Sequence, residues 1–534
     1  MPQKAKAPII FVTGIGQTWT SLKNGKSKEK WNLIPRKKET IFEEYKFNDY
    51  ANLVSFGLQS AFSIITGAKL SDKSAVKAIS RLLNYCTADE NGKLSDKLNV
   101  RIYGARSFDK LRKINFDTNE VDENASRTML NQIYHDIQCE RYIDEYGEEN
   151  LYCFNYSTFS NLYDNADLLH NMIKEVIKDQ RTKTSADKVI LVPMSMGATV
   201  VNAYLDKYLS EDNPKDGCLV SKVISIVGAW NGSNGLADVL NFNIADDFDE
   251  KLMNMLNGKA RNTVAKIKPE NLHKLGKTVV NAFVESILLR VSSFMALIPA
   301  ERYDDTAKIL FTDERYKRIS HLEKIKAEAD RYHNAQVNLK SRLEFLNNHH
   351  NIGFYFISGC SLEFGDENRD FDFLSMFKSV EKDNTDAVIQ ISSTSPGATS
   401  IHPSKKLSEN SNNPYLSPDR TVDASTCYFK DSSWFFIGQQ HELGTNNTAL
   451  KLAIDIATDE VKSIYDKYPQ FNYKRNITGV YELIEKAQNI INQGNNRNIE
   501  QLNKAVYEVE KMLDSVNNNP DYDNFVVNKL KNLL

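Results

Sequence analysis

The chain has 534 residues, 26% of them charged, and 67 Lys and Arg against 70 Asp and Glu give a formal net charge of −3. That length allows a large core and more than one domain, and the even charge balance excludes the basic footprint of a nucleic-acid binder. Cys86, Cys139, Cys153, Cys218, Cys360 and Cys427 are scattered without CxxC pairs, which reads as reduced, packed thiols rather than a disulfide framework or a zinc site.

The first predicted element is a strand at Pro8-Ile9-Ile10-Phe11-Val12, running into the glycine loop Thr13-Gly14-Ile15-Gly16-Gln17. No secretory leader precedes it, which points to the cytoplasm; a chain already cut from its leader, secreted or displayed at the cell surface, would read the same. A long, mostly helical insertion is expected over about 20–140. It contains the uncharged stretch 51–68, long enough to span a bilayer. Asn52, Ser55, Gln59 and Ser60 within that stretch favour a buried or interfacial helix instead.

A strand returns over 149–156, followed by an amphipathic helix over Asn165–Lys178 with Leu168, Met172, Val176 and Ile177 on one face. Next comes the most informative segment. The apolar run Val189-Ile190-Leu191-Val192 passes through Pro193-Met194-Ser195-Met196-Gly197 directly into the helix-like ATVVNAYLDKYL. Strand, sharp turn and helix in that order form a nucleophile elbow, which exposes the Ser195 hydroxyl and aims the Met196 amide at a developing oxyanion. A strand at 221–228 continues the alternation of a parallel sheet wound on both faces.

The strand signal disappears from about 235 to 348. This second insertion carries an apolar patch at 279–299 and a charged amphipathic helix with Leu322, Ile325, Ala329, Tyr332, Leu339, Leu343 and Leu346 at helical spacing. In that position it is expected to cap the mouth of the site. Strands resume at 352–359 and around Trp434–Ile437. The hydrolase-type unit is expected to span 1–465, and 466–534 a three-helix bundle with breaks at Gly494-Asn495-Asn496 and before Pro520. The repeats LIEKAQNII and AVYEVEKML resemble the FIVAR-type helical modules of Gram-positive surface proteins, although such a bundle also serves as a plain stabilising appendage.

A serine nucleophile needs a base in reach and an acid to hold that base. Of the downstream histidines, His273, His321 and His333 fall in the helical insertion, and His349 and His350 precede a strand, at the wrong edge of the sheet. His441 follows the strand-like WFFIG and leads into a helix, the expected last-loop position, with His402 as the second candidate. Asp386 stands in the right order for the acid, ahead of Glu363, Asp366 and Asp383. Ile15 or Gly16 is the expected second oxyanion donor, because glycine lets backbone approach a ligand closely. A dinucleotide site is excluded by Trp19 at the third glycine position, no Walker lysine is present, and no histidines pair at metal-ligand spacing. No cofactor is implied.

These segments resemble the α/β-hydrolase lipases, nearest to the lecithin:cholesterol acyltransferase-like branch and the large Gram-positive lipases. The matching pieces are PIIFVTGIG, LVPMSMGATV, VISIVGAWNGS, NTDAVIQISS and QQHELG, in order between residue 8 and about 460. The resemblance implies an α/β-hydrolase fold with Ser195, Asp386 and His441 as nucleophile, acid and base, and Ile15, Gly16 and Met196 as oxyanion donors. It implies hydrolysis of a lipid-like carboxylic ester, with transient contact to a lipid interface. Acyl transfer by the same residues, and a non-catalytic binding protein on a hydrolase scaffold, are the alternatives. Two departures stand out: Pro193 replaces the first elbow glycine and Met194 the usual histidine. The tryptophan in GAWNGS replaces a proline-containing loop and is expected to alter the pocket.

Overall fold

The computed structural model describes residues 6–15, 20–22, 98–100, 102–116, 118–137, 146–181, 186–210, 214–241, 289–312, 321–364, 383–408, 413–441, 446–473, 480–493, 498–514 and 520–534, with single positions at 284, 314 and 319. The apolar stretch 51–68 and most of 235–288 lie outside these residues, as do Gly16, Trp19, His273 and Asp366.

Seven strands form one parallel sheet: β1 (Ile9–Val12), β2 (Leu151–Phe154), β3 (Val189–Pro193), β4 (Val220–Ile226), β5 (Gly353–Cys360), β6 (Ser433–Ile437) and β7 (Phe471–Tyr473). Their spatial order is β2-β1-β3-β4-β5-β6-β7. Only the first pair departs from chain order, so β1 lies between β2 and β3, with Ile9 opposite both Leu151 and Ile190.

The strands are apolar on both faces because both faces are covered. Along β1, Ile9 and Phe11 join one core and Ile10 and Val12 the other; β3 divides in the same way, Ile190 and Val192 against Val189 and Leu191. The first core is closed by helix α1 (Met129–Ile137) and α6 (Asn447–Ala457), and the second by α2 (Leu162–Arg181), α3 (Gly197–Tyr208), α4 (Leu322–Val337) and α5 (Leu339–His350). Each aliphatic side chain buried in these layers contributes about 1.5–3 kcal/mol relative to exposure. Parallel strand order, helices on both faces and a strand–turn–helix at its centre make this an α/β-hydrolase-like fold.

Several expectations are corrected. Leu168 is half exposed, and the buried stripe of α2 runs instead through Leu169, Met172, Ile173, Val176 and Ile177. The single amphipathic helix expected over 322–346 is two helices that meet at Asn338, which closes α4 and opens α5. Asparagine serves such a break well, since its side chain bonds locally to backbone; here Nδ2 donates to the Asn334 carbonyl. The two helices are also not only a cap. Tyr332, Ala335, Leu339, Leu343 and Leu346 pack with Tyr204, Phe354 and Phe356 as part of the main helical layer. β7 carries the sheet past residue 465.

At the carboxyl end, α7 (Val480–Gln493), α8 (Ile499–Asp514) and α9 (Pro520–Leu533) share a core of their own. Val480, Ile484 and Ala487 meet Leu502, Val506, Val509 and Leu530 there, the stripes that three-and-four spacing predicts.

Candidate active site

The carboxyl ends of β1, β3, β4, β5 and β6 converge on one rim, where loops of a parallel sheet present ligand-binding groups. The turn after β3 is the tightest. Ser195 has φ +50°, a left-handed conformation that costs a non-glycine residue roughly 1–3 kcal/mol and persists where the surroundings fix it. Here they do. The Ser195 amide donates to the Ile226 carbonyl at 3.3 Å, and the Ser195 carbonyl accepts from Ala198 at 3.1 Å and Ala229 at 2.9 Å.

Gly197 explains how α3 can start so close to β1. A Cβ at that position would lie 2.3 Å from the Val12 carbonyl oxygen, which no side chain tolerates. The close approach thus falls on Gly197, four residues after Pro193. Pro193 is buried at the end of β3. Amides at Ile190 and Met194 donate to β1 (Pro8 and Val12), whereas those at Val189 and Ser195 reach Leu219 and Ile226 on the β4 side. By this alternation the N–H that proline lacks is on the β4 side, and pairing there is restored two residues later by Ser195.

Beyond β4, Val227 is also left-handed, at φ +46°, and turns the chain so that Ala229 can bond Ser195. Trp230, in the loop expected to alter the pocket, is a core residue. It is fully buried, donates Nε1–H to Ser225 Oγ at 2.9 Å and meets Phe356 edge-on.

The structure brings Ser195, His441 and Asp386 together. Ser195 Oγ lies 2.8 Å from His441 Nε2, across 246 residues of chain, and His441 Nδ1 lies 2.7 Å from Asp386 Oδ2. A carboxylate accepts only, so Nδ1 carries the hydrogen and Nε2 is free to accept from the serine hydroxyl. Asp386 is fully buried, and its other oxygen, Oδ1, accepts from the amides of Val388 at 3.1 Å and Ile389 at 2.8 Å. This turn is held by Ala387 at φ +75°, whose amide bonds Thr385 Oγ1. Gly359 at the end of β5 permits the meeting of acid and base: a Cβ there would lie 2.2 Å from the Gln439 carbonyl oxygen and 3.1 Å from Asp386 Cβ. Gly438, at φ +73°, ends β6 and releases the loop that carries His441.

The other candidates are elsewhere. His402 Nδ1 bonds Ser404 Oγ at 2.7 Å and its Nε2 faces Glu363 at 3.2 Å; Asp383 accepts from Asn234. His349 bonds the Phe345 carbonyl within the last turns of α5. Burial pushes the Cys360 thiol up, so it is protonated near neutral pH and offers no rival nucleophile.

Two backbone segments lie beside Ser195. The Met196 amide opens α3, and among the described residues it makes no hydrogen bond, whereas the amides of Gly197, Ala198 and Thr199 are each paired. The loop after β1 is anchored by the Thr13 amide on the Phe154 carbonyl at 3.1 Å, and it lays Gly14 against the serine, with Ile15 next in the chain and half-buried. A Cβ on Gly14 would lie 2.8 Å from Ser195 Cβ and 3.4 Å from its Oγ. Sequence reasoning selected this loop for its glycines but not Gly14 as the residue that touches the serine. Gly14→Ala is expected to lower kcat for a soluble ester by on the order of 10²–10³, by displacing serine and oxyanion donor together, and to lower the melting temperature by a few degrees, since the added Cβ forces the packed turn to shift. Steady-state kinetics and circular dichroism check both parts.

The described end of the second insertion is packed in rather than presented as an apolar face. Leu289, Val291 and Phe294–Ile298 are all buried. The Leu297 carbonyl accepts from the Ser233 amide at 2.8 Å, and Gly232, at φ +68°, leaves no room for a Cβ beside it. The amides of Asn231 and Asn234 in turn donate to Ser393 Oγ and Gln390 Oε1 of the acid loop.

No protein-family model matches the sequence, and no curated protein does. Among solved structures, the chain is similar to phospholipase PlaB from Legionella pneumophila, with 13% identity over 48% of this chain and a TM-score of 0.23. It covers 41% of that protein, under half its length. It is also similar to a chain of the Tle4–Tli4 complex, with 12% identity over 86% of this chain and 99% of that one and a TM-score of 0.35.

Proposed function

We propose that the protein is a serine hydrolase of carboxylic esters with an apolar, lipid-like acyl group. His441 Nε2 takes the Ser195 proton as Oγ attacks the ester carbonyl. The oxyanion is received by the Met196 amide and a donor from the Ile15–Gly16 loop. Collapse expels the alcohol, which takes the proton back from His441. Water, deprotonated by His441, then attacks the acyl-serine and releases the acid.

One observation carries the reading: an unbroken hydrogen-bond chain from a buried carboxylate through an imidazole to a serine at a left-handed turn, with the Met196 amide, unpaired among the described residues, next in the chain. The apolar acyl side rests on the uncharged, apolar sequence stretch 51–68.

A series of p-nitrophenyl esters tests the substrate class. Turnover should rise from acetate through butyrate to octanoate; the highest kcat/KM at acetate would remove the lipid-like part. With an alcohol acceptor added, free acid should remain the product. Conversion to the acceptor's ester would reassign the same residues to acyl transfer.

A further inference from the structure

The loop after β4 ends in Ser233, which stands in the N-cap position of the short helix Asn234–Leu240. Its carbonyl accepts from the Ala237 amide at 3.2 Å, as a cap residue's should. A serine there ordinarily turns its hydroxyl onto the first amides of its own helix. Ser233 does not. Its side chain makes no cap bond, and Oγ donates instead to the Val388 carbonyl at 2.9 Å, 155 residues along the chain. The acid loop supplies a cap in exchange, since Gln390 Oε1 accepts from the Asn234 amide at 3.1 Å.

This diversion reaches the triad. The Val388 carbonyl and the Ile389 amide belong to one planar peptide unit, so what fixes one end fixes the other. The Ile389 amide donates to Asp386 Oδ1 at 2.8 Å, and Asp386 Oδ2 lies 2.7 Å from His441 Nδ1. A bond accepted at the carbonyl also polarises the peptide and strengthens the one its amide donates. Ser233 and Val388 are both buried, and among the described residues no other donor reaches that carbonyl. Loss of the hydroxyl would leave a buried acceptor unpaired, which favours rotation of the peptide.

Ser233 is itself pinned from the other side. Its amide donates to the Leu297 carbonyl at 2.8 Å, an approach that Gly232, at φ +68°, permits. Ser393 Oγ accepts from the Asn231 amide at 3.0 Å and donates to the Gly232 carbonyl at 2.8 Å. The hydroxyl is thus presented to Val388 from a fixed backbone.

We propose that Ser233 is a positioning residue for the acid, acting through the Val388–Ile389 peptide to hold Asp386 toward His441. The inference rests on the hydrolase reading of Ser195, His441 and Asp386 given above.

Steady-state kinetics with p-nitrophenyl butyrate test it. Ser233→Ala is expected to lower kcat about tenfold with KM within about twofold of the parent, because the acid acts on the imidazole as it gains its proton. Ser233→Thr keeps the hydroxyl, and its branched side chain suits the extended backbone at φ −136°, ψ 127°, so most of kcat should return. In the Asp386→Asn background, Ser233→Ala should cost less than about twofold more, since the group it acts through is already disabled. A general loosening of the fold would instead repeat the full loss in both backgrounds. That result would overturn the inference, as would parent-level kcat in folded Ser233→Ala or a threonine variant no better than alanine. Those outcomes leave the hydrolase reading intact. A parent without turnover, or one whose turnover survives Ser195→Ala, would remove that reading and this inference with it.

Discussion

Ser195→Ala is expected to lower kcat for a p-nitrophenyl ester by on the order of 10⁶, the scale on which removal of a nucleophile acts in comparable triads. The loss should appear in kcat, because the hydroxyl forms its decisive bond only as the carbonyl is attacked. KM should change little. The fold should be unaffected, since the elbow is held by backbone bonds from Ser195 to Ile226, Ala198 and Ala229, none of which uses the side chain. Parent-level turnover by the folded variant would remove the serine from the mechanism.

Asp386→Asn should cost about 10⁴ in kcat with the geometry intact. An asparagine can keep the Oδ1 acceptor for the Val388 and Ile389 amides, so the turn survives. What changes is the atom facing His441. An amide Nδ2–H opposite Nδ1 makes that nitrogen the acceptor and moves the imidazole hydrogen to Nε2, where it blocks proton transfer from Ser195. An activity loss below tenfold would assign the carboxylate a structural role only.

The sheet was legible in the sequence where strands are buried on both faces. Runs such as Ile9–Val12 and Val189–Val192 have no polar interruption, and only a doubly covered parallel sheet uses them so. The elbow was legible because glycine and serine at fixed offsets join such a strand to a helix. His441 was legible through its loop between WFFIG and a helix, and Asp386 as a carboxylate in serine, acid, histidine order that is followed by the aliphatic run Ala387-Val388-Ile389. What was hidden depends on packing between distant segments. Leu168 and Leu169 are equally apolar, and only the sheet beneath decides which is buried. The strand Phe471–Tyr473 has three residues, too few to show a period. Gly359 gives no sign in sequence that it makes room for both Gln439 and Asp386. The GAWNGS loop gives no sign in sequence that Ser225 Oγ and Phe356 draw Trp230 into the core.

The most direct test of the central claim is mass spectrometry of the peptide carrying Ser195 after reaction with a fluorophosphonate probe. The arrangement of Ser195, His441 and Asp386 predicts one adduct per chain, on Ser195, formed rapidly in the parent and scarcely at all in His441→Ala. A folded parent protein that stays unlabelled, or whose adduct maps to another residue, would contradict it.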